Sequence, residues 1–137
     1  MNDFQNFARS LNSMSHQVIL LFHGSRVPET HLEANRLTGA LAQNPGHVNV
    51  SCAFLQNISP SLPDAMAEAV YNHANKITIF PLFTLTGRHV QDDIPEVVSA
   101  FRTSHPEISV SLQPHLGADP EFQSWLAGKI QQVTGKS

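Results

Sequence analysis

The sequence predicts an α/β fold, a single doubly wound parallel sheet of four strands in the order 2-1-3-4 with helices on its faces. Four short runs are apolar and rich in branched residues, as strands covered on both faces are. Segments with the 3.6-residue spacing of amphipathic helices separate these runs. Strict alternation of strands and helices predicts a parallel sheet with right-handed crossovers. The 137 residues suffice for one core of this kind.

The predicted strands differ in how clearly they are marked. The first three are continuous apolar runs, whereas the fourth is weaker and alternates between apolar and polar residues. They span residues 17–22, 48–55, 76–83 and 108–114.

The first two predicted helices follow strands 1 and 2. The first, about residues 28–42, is the less regular, because Gly39 weakens it. The second begins after Ser61, which can cap it with Asp64 three residues on.

The last two predicted helices have stronger N-terminal signals. The third begins at Asp92 and Asp93, since Pro95 is tolerated only in a first turn. The fourth has Asp119 as its cap and Pro120 behind it. The spacing then predicts an inward face made by Phe122, Trp125, Leu126, Ile130 and Val133.

The organisation along the chain is simple. Residues 1–15 are expected to form a tail, with residues 16–137 forming one domain without repeats or linkers. No stretch has the length of a membrane-spanning helix or the pattern of a signal peptide, so a cytoplasmic location is expected. The formal charge of −3 argues against a general nucleic-acid binder, and a single cysteine excludes a disulfide framework.

Two histidines follow neighbouring strands of this predicted sheet. His23 comes directly after strand 1 and His89 follows strand 3, where the direction of winding reverses. Ligands of doubly wound sheets bind beyond the carboxyl ends of the strands at such a reversal. A glycine and an arginine accompany each histidine: Gly24 and Arg26 the first, Gly87 and Arg88 the second.

Other chemistries fit this pattern poorly. The HGSR turn lacks the glycine spacing and lysine of a P-loop, and no G-x-G-x-x-G follows a strand. Ser25 is not in a G-x-S-x-G elbow, which leaves a hydrolase triad without support. Two imidazoles with few nearby carboxylates suit Co, Ni, Fe or Zn in weak, open coordination. A hydrogen-bonded structural histidine at a strand end is the alternative for either position.

Several motifs together resemble a known family. The segments VILLFHGSRVPE, AFLQNISPSLPDAM, ITIFPLFTLTGRHVQDDIPEV and PHLGADPEF are similar, in order and spacing, to the small CbiX-type class II chelatases, or sirohydrochlorin chelatases. The similarity runs from about Val18 to Trp125.

The resemblance implies a function, a partner and an assembly. Family members insert a divalent metal into the tetrapyrrole sirohydrochlorin, on the way to cobalamin, sirohaem or nickel tetrapyrroles, without ATP or another nucleotide cofactor. Those of this length work as homodimers. Their metal-binding histidines fall on His23 and His89, which are the predicted catalytic and metal-binding residues, with cobalt, nickel or iron as the metal.

The predicted substrate contacts surround these histidines. Arg26 and Arg88 would meet the carboxylates on the rim of the macrocycle. Gln56 stands where many relatives carry glutamate, so either the two histidines act alone or another group such as His115, at the end of strand 4, contributes. The remaining predicted contacts are Gly24, Ser25, Gly87 and the apolar Leu82, Phe83 and Leu85.

Two other functions remain open from the sequence. A non-catalytic carrier of metal or tetrapyrrole would keep the same cleft and bind without turnover. A flavodoxin-like nucleotide or signalling domain fits the sheet, but phosphate-cradling glycines or an acidic pocket should then follow strand 1, and neither is present.

Overall fold

The fold alternates strands and helices along the chain. A computed structural model describes residues 16–43 and 48–135, apart from the side chain of His89; the predicted tail, residues 1–15, lies outside this part. The elements are β1 (His16–Phe22), α1 (Pro28–Leu41), β2 (Asn49–Phe54), α2 (Leu62–Tyr71), β3 (Lys76–Pro81), α3 (Arg88–Ser104), β4 (Ser109–Leu112), a 3₁₀ helix (Leu116–Ala118) and α4 (Pro120–Thr134).

The four strands form one parallel sheet in the order β2-β1-β3-β4, which confirms the predicted fold class and strand order. The register places Phe22 of β1 beside Phe54 of β2, and Leu21 of β1 beside Pro81 of β3. The carboxyl ends of these three strands are therefore level. The reversal of winding between β1 and β3 lies in the middle of that edge.

The core lies on the face of the sheet that α2 and α3 cover. Alternate residues of β1 and β3 point to this face, because side chains of a strand alternate between its two sides. The largest fully buried side chains of this core cluster are Ile19, Leu21, Ile77, Ile79, Met66, Ile94 and Val98.

The start of α2 agrees with the prediction. The Ser61 side chain accepts a hydrogen bond from the backbone N–H of Asp64 at 3.2 Å. This cap satisfies one of the backbone donors that a helix leaves without an internal partner.

The predicted start of α3 is wrong by one turn. The helix begins at Arg88 with Gly87 as its N-cap, and Pro95 lies inside the helix. Val90, 8% exposed, lies one turn before the buried Ile94 and extends the apolar stripe backwards. Burial of that extra turn outweighs the hydrogen bond that Pro95 cannot donate. Arg88 and the backbone of residue 89 therefore belong to the first turn of α3, not to the preceding loop.

The predicted packing of α4 is also wrong. Its cap is as expected, since the Asp119 carboxylate accepts from the backbone N–H groups of Glu121 at 2.7 Å and Phe122 at 3.3 Å. The apolar face, however, is not inward: Trp125 is 57% exposed and Val133 86%. The main neighbour of α4 among the described elements is the 3₁₀ helix before it, and no residue of α4 is buried.

None of the helices in the described part of the chain is both long enough and apolar enough to cross a membrane.

The His16 side chain makes the stability depend on pH. Its Nε2 hydrogen-bonds Thr78 Oγ1 at 2.8 Å, and burial, followed by the charge of Lys76 on the neighbouring strand, lowers the pKa of its imidazole. Protonation is thus less favourable in the folded state than in the unfolded chain. The stabilisation from this group is fully present above about pH 6.5 and is lost as the pH falls from there through the lowered folded pKa.

We expect the urea midpoint of the protein to fall between pH 7.5 and pH 5, and the His16→Gln variant to show a smaller fall. Glutamine can keep a hydrogen bond to Thr78 and does not titrate. Equal pH slopes for the two proteins would exclude His16 as the source.

Candidate functional site

His23 and Phe83 join the ends of the two central strands. His23 is the first residue after β1 and is exposed, whereas Phe83, two residues beyond β3, is 3% exposed. Their rings lie 4.5 Å apart between centroids, with planes inclined at 51°. The buried Phe83 ring therefore supports the imidazole from one side and leaves it accessible at the carboxyl edge of the sheet.

The turn after β1 is fixed against the turn after β2. Gly24 has φ +88°, and a Cβ there would lie 1.9 Å from the carbonyl oxygen of Gln56. The backbone N–H of Gln56 donates to the carbonyl of His23 at 3.1 Å, and that of Leu55 to the carbonyl of Phe22 at 3.0 Å. Only glycine permits both this dihedral angle and this approach. The structure thus brings Gln56 beside His23.

A cavity of about 290 Å³ opens at this edge of the sheet. Three of its lining residues can act on a cation or a proton: His23, Gln56 and Asp93. Most of the remaining lining is apolar and comes from β2, α2 and α3. An imidazole, an amide and a carboxylate in an otherwise apolar cavity suit a largely apolar ligand that carries a few polar groups.

Asp93 is a cavity residue that the sequence reasoning assigned only to a helix start. The sequence does carry a signal for it. Because α3 begins at Arg88, position 93 lies four residues after position 89, and two positions so spaced share one face of a helix. The error in the helix start concealed that relation.

The residues beside the two histidines have different local roles. Ser25 Oγ accepts a hydrogen bond from the backbone N–H of Val27 at 3.0 Å, so it helps to start α1. Arg26 and Arg88 are both exposed near the ends of the central strands. Gly87 has an extended backbone with φ −116°, and a Cβ there would meet nothing within 4 Å, so no backbone constraint requires glycine at this position.

Three other predicted contacts lie apart from the His23 cavity. Leu85 is 81% exposed in the loop after β3. Leu82 lines a groove on the opposite face of the sheet, and His115, half-buried, lines a separate cavity of about 140 Å³ with Thr86 and Gln91. Phe83 presents almost no surface to a ligand, because it is buried behind His23. The structure therefore does not bring His115 together with His23.

A second glycine, which sequence reasoning missed, fixes the loop that carries Phe83. The backbone N–H of Gly117 donates to the Phe83 carbonyl at 3.0 Å, and a Cβ on Gly117 would lie 1.7 Å from the carbonyl oxygen of Thr84. The loop after β4 thereby holds the loop after β3 in place.

The described side chains do not by themselves form a metal cage. No three His, Cys, Asp or Glu side chains within residues 16–43 and 48–135, His89 excepted, are grouped so that they could hold a metal ion. His23 and Asp93 supply two possible ligands to the cavity, one nitrogen and one carboxylate.

Comparison with protein families identifies the chain. The model of the CbiX family matches residues 17–133, a range that extends from β1 into α4. The chain belongs to the CbiX family.

Relatives of this CbiX chain fall into two sizes. A sirohydrochlorin cobaltochelatase of Methanosarcina acetivorans is 29% identical over 123 residues, covering 85% of this chain and 95% of that protein. A sirohydrochlorin ferrochelatase of Bacillus subtilis is 30% identical over 124 residues, covering 88% of this chain but 46% of that protein. This CbiX chain thus matches almost the whole of a short relative and about half of a long one.

A solved structure has the same fold. The sirohydrochlorin chelatase SirB from Bacillus subtilis subspecies spizizenii, in complex with cobalt, superposes with a TM-score of 0.68 at 25% identity. The match covers 88% of this CbiX chain and 51% of that chain.

Gly24 offers a test of how the site is held. We expect Gly24→Ala to lower the free energy of unfolding by about 2–4 kcal/mol, because the new Cβ meets the Gln56 carbonyl and the φ is unfavourable. The matched control is Gly39→Ala inside α1, where nothing lies within 4 Å; it should stabilise the protein by up to about 1 kcal/mol. Urea unfolding of both variants measures the difference, and equal stabilities would contradict the close approach.

Proposed function

We propose that this CbiX chain inserts a divalent metal ion into sirohydrochlorin, without a nucleotide cofactor. The observation that carries the proposal is the position of His23, an accessible imidazole at the edge where β1 and β3 end, beside the cavity with Gln56 and Asp93. The relatives named for the same substrate take cobalt or iron.

The reaction requires a metal ligand and a proton acceptor. Two pyrrole N–H protons must leave the macrocycle as the dication takes their place, so charge and atoms balance with the release of two protons. A histidine side chain ordinarily titrates near neutral pH and also binds cobalt, nickel and iron through one ring nitrogen. A single ring cannot do both at once. His23 and His89 therefore divide the two tasks, one delivering the metal while the other accepts a proton.

The contact between His23 and Phe83 suits the imidazole to holding a metal ion and then releasing it. Phe83 packs against its ring and restricts the imidazole, while the other side of the ring stays open to the cavity. An open, weakly held site favours transfer of the metal over its storage.

Asp93 contributes the negative charge that Gln56 cannot supply. Among the described residues that line the His23 cavity, Asp93 is the only acid. A carboxylate near the entering dication lowers its energy before transfer, and can accept hydrogen bonds from the pyrrole N–H groups. The amide of Gln56 can orient the macrocycle but carries no charge.

The arginines act on the rim of the macrocycle. The chain as a whole has a formal charge of −3 and does not attract an acidic ligand. Arg26 and Arg88 supply local positive charge, and a guanidinium binds a carboxylate through two parallel hydrogen bonds. The exposed Leu85 offers an apolar contact for the face of the ring.

Three finer points belong to the same proposal. Nickel is accepted as well as cobalt and iron, because a site of one or two imidazoles does not distinguish strongly among them. The protein works in the cytoplasm, and it works as a homodimer.

An absorbance assay with sirohydrochlorin and each metal salt ranks the metals. A stoichiometric change without turnover would favour a carrier instead.

We expect His89→Ala to abolish metal insertion while leaving the affinity for sirohydrochlorin largely unchanged. The imidazole of His89 carries out one of the two divided tasks, metal delivery or proton acceptance, whereas most of the binding surface lies on other residues. Absorbance spectra follow insertion, and fluorescence quenching follows binding of the macrocycle. A variant that keeps half or more of the wild-type rate would remove His89 from the mechanism.

We expect Asp93→Asn to slow insertion by about 10- to 100-fold. The matched control is Asp92→Asn, which removes the same charge one residue away from a side chain that does not line the cavity. Rates are compared at saturating macrocycle and limiting metal. Equal rates for the two variants would show that Asp93 has no part in metal transfer.

A further inference from the structure

In the described part of the chain, α1 covers only part of one face of the sheet. The groove there, about 420 Å³, is lined mainly by apolar side chains of the strands and of the end of α1; we call it the sheet groove. Its main apolar residues are Val18, Leu20, Val50, Phe80 and Leu41. Phe80 is 38% exposed although it lies on a central strand.

The topology explains why this face is incompletely covered. Right-handed crossovers place α2 and α3 on the core face and α1 on the other. A doubly wound sheet needs helices along both faces, and α4 is the helix left to join α1. In the described part of the chain, however, no residue of α4 lines the sheet groove.

The helix that should fill the groove has its own uncovered apolar face. Five residues on one side of α4 form what we call the α4 face: Phe122, Trp125, Leu126, Ile130 and Val133. Four of them are between 42% and 86% exposed. The 15 residues of α4 span roughly 22 Å. The seven residues of β1, along the floor of the groove, span roughly 23 Å. Groove and helix therefore match in chemistry and in length.

The start of α4 is fixed against the loop after β3 of the same chain. Gly117 is packed against the loop after β3, and Asp119 caps the helix while its N–H donates to the carbonyl of Leu116 at 3.0 Å. Gln123 Nε2 donates to the carbonyl of Gly117 at 3.0 Å. Folding α4 back onto its own sheet would break these contacts. A helix from another molecule meets no such obstacle.

We propose that the α4 face of one copy docks into the sheet groove of a second copy, and that the second copy returns the contact. Such reciprocal exchange closes a two-fold dimer. Aromatic side chains each bury about 150–250 Å², so two such faces with their grooves bury on the order of 1,000 Å² or more, enough for a stable dimer. This inference rests on the homodimer proposed above and is independent of the chelatase chemistry.

The only tryptophan of the chain, Trp125, reports the docking directly. Sedimentation velocity gives the mass, and tryptophan emission gives the burial of the α4 face. Wild-type protein at micromolar concentration should be a dimer with blue-shifted emission. Dilution should produce monomer and a red shift together. Acrylamide should quench the monomer several-fold more strongly than the dimer.

Charged substitutions on either surface should prevent docking. Ile130→Glu on α4 and Phe80→Glu in the groove should each give a folded monomer with red-shifted emission, since both side chains are already partly exposed. The matched control is Gln131→Glu, which adds the same charge to the opposite side of α4 and should stay dimeric. Val133→Glu, at a side chain 86% exposed, replaces Ile130→Glu if that variant does not fold.

Three outcomes would overturn the proposal. An Ile130→Glu protein that remains dimeric would place the interface elsewhere. A monomer with blue-shifted, protected Trp125 would mean that α4 docks in its own chain. A third outcome is a monomeric wild-type protein whose stability falls when residues 1–15 are removed. If Phe80→Glu then lowers the stability of the truncated protein no further, the N-terminal segment occupies the groove. Metal insertion is assayed separately, so a catalytically active monomer refutes the exchange without refuting the chelatase.

Discussion

Parallel pairing of β1 with β2 on one side and β3 on the other is the constraint on which the site depends. This pairing ends three strands at one level and forces their following loops into the same small volume. Close backbone contacts then fix these loops in place. At Gly24 and Gly117 the contacts leave no room for a Cβ atom, so both positions require glycine. His23 and Phe83 lie in the loops after the neighbouring strands β1 and β3, and their rings are in contact. The order of the strands therefore determines where the residues of the candidate site lie.

Local patterns predicted most of the architecture. Branched apolar runs identified all four strands, and the caps at Ser61 and Asp119 are made by the side chains that the sequence singles out. Each of these features depends on residues only a few positions apart, so it can be predicted from the sequence alone. The order of the strands was predicted as the simplest one for a doubly wound sheet of four strands.

The wrong predictions concern features that depend on contacts between residues far apart in the sequence. Asp92, Asp93 and Pro95 favour a helix start, but burial of Val90 extends α3 by a turn. In α4 the spacing shows correctly that one face is apolar. It does not show which surface that face meets, and within the described chain most of the face stays exposed. Gly117 was missed because its neighbours come from another loop, the one after β3. Asp93 was missed because the wrong start of α3 concealed its spacing from position 89.

The way in which Gln56 is held has a consequence for how such proteins diverge. Its contacts with Gly24 and His23 are made by its own backbone carbonyl and amide, and its side chain is exposed. Exchange of one side chain for another at this position leaves the geometry of both turns intact. Selection can therefore adjust charge beside the imidazole in a single step, without a compensating change elsewhere. An acidic side chain at position 56 would therefore add a negative charge next to His23 without altering the backbone of either turn.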